Sequence, residues 1–217
     1  MSDAGAEHGR FIVLEGPDGA GKSVQARLLA ERLQARGLSV TYSREPGGTD
    51  LGEQVRRLVN DPGPTPRGPK ADVLLYSAAR AQHVDEVIRP ALERGDIVVL
   101  DRYATSTMAY QGYGSGMDLD LLGRIQDWVT GGLRPDIVVL LDVDPRTGLE
   151  RRAAGDADEL TRWEDQSHFD LAFHTRVREG YREMAAAEPE RWVVLDGSGD
   201  VEAVAAEVSR VVEARLA

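Results

Sequence analysis

The stretch Phe11-Ile12-Val13-Leu14-Glu15-Gly16-Pro17-Asp18-Gly19-Ala20-Gly21-Lys22-Ser23 decides how the chain is read. Four consecutive apolar residues make a short buried strand, and the segment after them fits G-x-x-x-x-G-K-[ST] at every fixed position. Its glycines allow a tight turn in which successive N–H groups face phosphate oxygens, and the helix that follows adds its positive N-terminus. Gly16, Pro17, Asp18, Gly19, Ala20 and Gly21 would form this cradle, Lys22 would reach the β- and γ-phosphates, and Ser23 would hold Mg²⁺. A nucleoside triphosphate such as ATP is the implied ligand. Lys22 stands out further because it and Lys70 are the lysines among 26 basic residues. The alternative is an ordinary glycine-rich turn between strand and helix. A strand before, a helix after and a lysine where the chain otherwise uses arginine speak against it.

Outward from this stretch, apolar runs recur at Val40-Thr41-Tyr42, Ile97-Val98-Val99-Leu100, Ile137 through Leu141 and Trp192-Val193-Val194-Leu195. Between them lie segments of helical spacing, such as Leu28, Leu29 and Leu33, and Val73 to Leu92. The alternation predicts an α/β fold: a three-layer α/β/α sandwich over a five-stranded parallel sheet, with ligands at the carboxyl ends of the strands. A chain of 217 residues suits one domain, 1–217. Asp61 to Pro69 reads as a surface loop, and the polar, charged stretch within about 151–168 reads as a short mobile lid.

The formal charge of −11 repels polyanions, so a nucleic-acid groove or an anionic membrane surface would need a local basic patch. Small phosphates need only a few clustered cations. There is no cysteine, and no apolar run approaches the ~20 residues of a membrane helix. The opening MSDAGAEHGR carries no signal-peptide pattern, so the cytoplasm is the expected compartment.

Two further elements bear on chemistry. Asp101-Arg102-Tyr103 follows the third strand, where a carboxylate can hold Mg²⁺ and the arginine can grip a phosphate bidentately. A bare strand-end ion pair is the alternative there, and Asp142, ending the fourth strand, is a competing metal candidate. Arg151, Arg152 and Arg162, with Glu164 nearby, surround the proposed lid. A guanidinium placed against a transferring phosphoryl group stabilises the charge spread over its equatorial oxygens, although arginines on a solvated helix face would look the same. A phosphate monoester acceptor is largely a dianion at neutral pH and needs no general base. His8, His83, His168 and His174 read as surface or packing residues.

Taken together these segments resemble the thymidylate kinase family along nearly the whole chain. The resemblance is carried by Gly16 to Ser23 with Asp18 inside it, Ser43-Arg44-Glu45-Pro46-Gly47-Gly48-Thr49, Tyr76-Ser77-Ala78-Ala79-Arg80, Asp101 to Gly112 and Arg162-Trp163-Glu164. It implies transfer of the γ-phosphoryl group of ATP to dTMP with Mg²⁺, in a homodimer built through helices that include Val55, Leu58 and the stretch from Ala71 to Leu92. It further implies that Asp18 and Arg102 bind the acceptor nucleotide, with Arg44 near its phosphate. Tyr76 would stack on thymine, Arg80 and Gln111 would bond its edges, Ser106 would lie beside it, and Tyr103 would press on the deoxyribose. The phosphate loop lacks arginine, so the resemblance is to the branch whose catalytic arginine comes from the lid. Arg151, Arg152 and Arg162 are the candidates, Arg152 also for packing on adenine.

Val24, Tyr76, Asp72 and Ser115 depart from the family's usual threonine, phenylalanine, glutamate and arginine. A kinase for another nucleoside monophosphate or a deoxynucleoside stays open as a rival. A nucleotide-dependent ATPase switch is the rival from a different class.

Overall fold

Five parallel strands form the centre: β1 Arg10–Glu15, β2 Val40–Arg44, β3 Ile97–Asp101, β4 Ile137–Asp142 and β5 Trp192–Asp196, in the order β2-β3-β1-β4-β5. This is a computed structural model, and it describes residues 9–61, 67–154 and 171–216. All five apolar runs of the sequence are strands. The three central ones are buried almost throughout, whereas the edge strands β2 and β5 are only half-buried because each has a single neighbour.

The helices are α1 Lys22–Ala35, α2 Asp50–Asn60, α3 Pro69–His83, α4 Arg89–Glu93, α5 Ala104–Thr107, α6 Leu119–Thr130, α7 Pro145–Ala153, α8 Leu171–Ala187 and α9 Val201–Leu216. Two segments are wound more widely, as π-helical turns, at Val84–Ile88 and Met108–Gly114. The first joins α3 to α4, so the long helical pattern from Val73 to Leu92 is one rod with a widened turn.

Alternation along β1 explains the layers. Ile12 and Leu14 point to one face, where Leu29 and Leu33 of α1 and Val208 and Val212 of α9 cover them. Phe11 and Val13 point to the other, under Val84, Ile88 and Tyr103. Val138 and Leu140 of β4 meet Val177 and Tyr181 of α8 on that same side. Each such side chain contributes about 1.5–3 kcal/mol by leaving water, which fixes the sheet as a rigid base.

Because β1 lies between β3 and β4, the turn after β1 emerges at the middle of the sheet's carboxyl edge. The ends of β3 and β4 flank it, so Asp101 and the chain after Asp142 arrive beside the glycine turn without any further design. Ligands of open α/β sheets bind along that edge.

Candidate active site

A cavity of about 640 Å³ opens at this carboxyl edge. Its floor is the glycine turn from Asp18 to Ser23. One wall carries Tyr76, Arg80, Thr107, Tyr110 and Gln111, and the opposite wall carries Gly197, Gly199, Asp200, Val201 and Val204. The volume suits two small ligands end to end rather than a macromolecule.

The turn takes its shape from glycine. Gly16, Gly19 and Gly21 have φ of 146°, 71° and 86°, a region that side-chain-bearing residues avoid. Gly19 also lies against α7: a Cβ built on it would fall 1.9 Å from the carbonyl oxygen of Gly148, and one on Gly148 would fall 2.3 Å from that of Asp18. The helix bearing Arg151 and Arg152 is thus seated directly on the phosphate loop.

Lys22 is buried and donates to the Pro17 carbonyl at 2.7 Å, staying inside the loop. Burial and the charge of Arg102 lower its pKa to about 8, against the opposing pull of Asp18, Asp101 and Glu15. Ser23 Oγ donates to Asp101 Oδ2 at 2.5 Å. The other oxygen, Asp101 Oδ1, is buried with no hydrogen-bond partner among the described residues. A hydroxyl and a carboxylate with an uncommitted oxygen are the hard oxygen donors that Mg²⁺ takes, so the two predicted metal residues fit the ion. Asp142 does not stand in for them: Arg178 holds both of its oxygens, at 2.6 and 2.9 Å.

At the centre, Asp18 meets Arg102 at 2.5 Å and Arg152 at 2.9 Å. Burial would raise the Asp18 carboxyl, but Arg152, Arg102, Lys22 and His174 together hold it well below the usual carboxylate range. Arg102 has φ of 67°, the one left-handed residue other than glycine among the described residues, a conformation that costs on the order of 1–3 kcal/mol. Its N–H is anchored on Leu14 at 3.1 Å, and its guanidinium also reaches Ser106 and Tyr110, each at 3.3 Å. Arg102 is therefore held in an unfavourable backbone state by contacts that aim its side chain.

Beneath it, the buried Glu15 accepts from the Tyr103 N–H at 2.9 Å, Thr105 and Ser106 at 2.6 Å each, and Tyr181 at 2.8 Å. Sequence reasoning passed over Glu15. The available signal was a carboxylate closing an otherwise apolar strand.

On the wall opposite α7, Arg80 and Gln111 are both buried and both line the cavity. Arg56 of α2 also lines the cavity, beside the Pro46 carbonyl to which it donates at 3.3 Å. It too was missed, although helical spacing placed it on the inward face with Gly52, Val55 and Val59.

Two expectations are corrected. Tyr103 does not line the cavity: it is 2% exposed, packs edge-on against Phe11 and donates to the Leu133 carbonyl at 3.2 Å. Its extended backbone packs the ring into the cluster of Phe11, Val13 and Ile88, and the tyrosine of this segment that lines the cavity is Tyr110. Arg44 is also absent from the lining, because Glu53 holds it at 3.3 Å with its side chain 47% exposed. Arg162, Glu164 and His168 lie outside the described residues, as does most of the expected lid. Of the lid-side arginines, Arg152 joins the central cluster, while Arg151 donates to the Gly197 and Ser198 carbonyls at 2.7 and 2.5 Å. Gln25 ties the same region to α1, donating to the Val201 carbonyl at 2.9 Å.

Comparison with known proteins points to one family along nearly the whole chain. A family model described as "Thymidylate kinase" matches residues 14–208. The thymidylate kinase of a Roseiflexus species is 50% identical over 214 residues, covering 95% of each chain. That of Deinococcus radiodurans is 51% identical over 208 residues, covering 95% of this chain and 98% of its own. Among solved structures, thymidylate kinase from Ehrlichia chaffeensis superposes with a TM-score of 0.77 at 33% identity, over 94% of this chain and 99% of that one.

Proposed function

This chain belongs to the thymidylate kinase family, and from that premise we propose how its cavity moves the γ-phosphoryl group of ATP onto dTMP, giving ADP and dTDP. One observation carries the proposal. Asp18, Arg102 and Arg152 form a single cluster between a glycine phosphate loop and a wall of aromatic and amide side chains. Donor and acceptor phosphates would meet there.

ATP lies with its phosphates on the loop from Gly16 to Ser23 and its base toward Gly199 and Val201. The positive end of α1 and Lys22 face the β- and γ-phosphates. Ser23 and Asp101 would hold Mg²⁺, which supplies charge neutralisation between the phosphates. dTMP lies on the other wall with thymine against Tyr76, its edge toward Arg80 and Gln111, and its sugar beside Tyr110. Its phosphate faces Arg102, with Arg56 completing the cationic side and Ser106 under Arg102. The acceptor dianion attacks without a general base, and the protein's work is to hold two anions in line and out of water. Arg102 and Arg152, presented by one carboxylate, are placed to share the charge of the transferring group. The flanking segment at about 151–168, with Arg162, is proposed to close over ATP as a lid on the single domain 1–217.

A homodimer is part of the proposal. It is supported by Leu58 of α2, Leu74 of α3 and Trp128 of α6, exposed by 49%, 64% and 82% on adjoining helices. Val55 faces inward and does not contribute. The proposed setting is the cytoplasm, where both nucleotides are free in solution.

The test is a set of initial rates with dTMP, dUMP, dCMP and thymidine. The expected order puts dTMP first, with dUMP behind by about tenfold or less, because a buried methyl group is worth only ~1 kcal/mol. A preference for thymidine, or ATP hydrolysis indifferent to every acceptor, would overturn the assignment of the second wall.

A further inference from the structure

Arg80 reaches the cavity with four of its five N–H groups already taken. Nε donates to Glu45 at 2.7 Å, Nη1 to Thr107 at 3.0 Å and to Gln126 at 2.5 Å, and Nη2 to the Tyr103 carbonyl at 3.1 Å. Glu45 follows β2, Thr107 ends α5 and Gln126 belongs to α6, so separate parts of the fold converge on one guanidinium. The group also lies 5.7 Å from the centre of the Tyr103 ring. A long side chain normally loses rotamer freedom when it binds. Here that freedom is gone before a ligand arrives, and one N–H on Nη2 remains without a partner among the described residues.

Gln126 differs from the other side-chain partners, Glu45 and Thr107, which both line the cavity. It is buried, it does not line the cavity, and its amide could face Arg80 with either oxygen or NH₂. Arg80, which has only donors, settles the choice, and Ser77, one turn before it on α3, braces the amide by accepting from Gln126 Nε2 at 3.2 Å. The amide oxygen is then left for Arg80. A flipped amide would set donor against donor.

We propose that Gln126, braced by Ser77, is a positioning residue for base selection. By locking Arg80 it presents a fixed donor that accepts a pyrimidine with a carbonyl at that edge and rejects one with an amino group. This rests on the reading that Arg80 faces the acceptor base. An amino group there would leave two buried donors opposed, whereas a loosened Arg80 could swing aside and tolerate it. Gln126 thus acts on specificity from α6 without touching the substrate.

The experiment compares steady-state constants of the full-length enzyme and its Gln126→Leu, Gln126→Glu, Ser77→Ala and Arg80→Leu variants with dTMP, dCMP and ATP, alongside Tm. Gln126→Leu should raise KM for dTMP about five- to tenfold and lower the dTMP-to-dCMP ratio of kcat/KM by a similar factor, with kcat and KM for ATP within about twofold. Gln126→Glu keeps an acceptor for Arg80 and should restore KM for dTMP. Ser77→Ala should fall between the two, and it keeps the test alive if Gln126→Leu does not fold. Equal losses toward ATP and dTMP with a lowered Tm would mean a purely structural role and overturn the proposal. So would an unchanged base ratio in Gln126→Leu beside a strong effect of Arg80→Leu. If Arg80→Leu itself leaves KM for dTMP unmoved, the fault lies in the acceptor-site reading beneath it.

Discussion

Replacing Gly148 by alanine should damage catalysis far more than stability. The added Cβ would lie 2.3 Å from the carbonyl oxygen of Asp18, where ordinary contact begins at 3.4 Å, and both atoms belong to backbone or its first side-chain carbon. No side chain can rotate away, so α7 and the phosphate loop must separate by about 1 Å, a displacement that can cost on the order of 100-fold in rate. The Arg152 to Asp18 contact, now 2.9 Å, spans that same junction. Overpacking costs about 1–3 kcal/mol, while the better helix propensity of alanine returns roughly 0.5–1 kcal/mol. The net loss is therefore about 0–2.5 kcal/mol, modest beside the kinetic effect. Gly123 on α6 is the control, because nothing lies within 4 Å of the position its Cβ would take. Gly123→Ala should gain about 0.5–1 kcal/mol and leave kinetics unchanged. Thermal melts beside coupled measurements of ADP formation give both quantities. A Gly148→Ala enzyme with kcat/KM within about threefold of the parent would refute the seating of α7 on the loop as a catalytic requirement.

Other expectations concern single charges. The free enzyme loses the Lys22 proton as pH rises through about 8, whereas bound phosphates keep it charged. ATP affinity should thus be full below that pH and decline above it, and titration calorimetry in buffers of different ionisation enthalpy at pH 8 should find uptake of about half a proton; uptake of none would contradict the placement of Lys22. Asp101→Asn should raise the Mg²⁺ concentration for half-maximal rate by about tenfold or more and spare dTMP affinity, because a full carboxylate charge leaves the proposed metal site. An unchanged Mg²⁺ requirement would move that site elsewhere. Glu15→Gln puts a donor where four donors converge, so a loss of about 2–4 kcal/mol and a Tm lower by roughly 4–16 °C are expected by differential scanning calorimetry. A Tm within about 2 °C of the parent would show that Glu15 is not the anchor described.

The layers were legible because strands buried on both faces leave continuous apolar runs, and each of the five runs became a strand. The loop from Gly16 to Ser23 was legible because its chemistry is local in sequence. What failed was direction. Tyr103 and Tyr110 lie in one short segment, but an extended backbone at Tyr103 and the widened turn at Met108–Gly114 put one ring in the core and the other on the cavity wall, and spacing alone does not show either feature. Arg44 and Arg56 were exchanged for a similar reason: which of two cations enters a cavity depends on whether a carboxylate such as Glu53 intercepts it first. Glu15 and Gln126 act through other side chains, and their roles appear only when distant elements are brought together.

The central claim is direct passage of a phosphoryl group between two nucleotides held in one cavity. ATP labelled in its γ-phosphate, incubated with enzyme and dTMP and resolved by phosphorus NMR, tests it in one measurement. The label should appear in the β-phosphate of dTDP, one for each ADP formed, with none in inorganic phosphate. Label released as phosphate while dTMP persists would contradict the account.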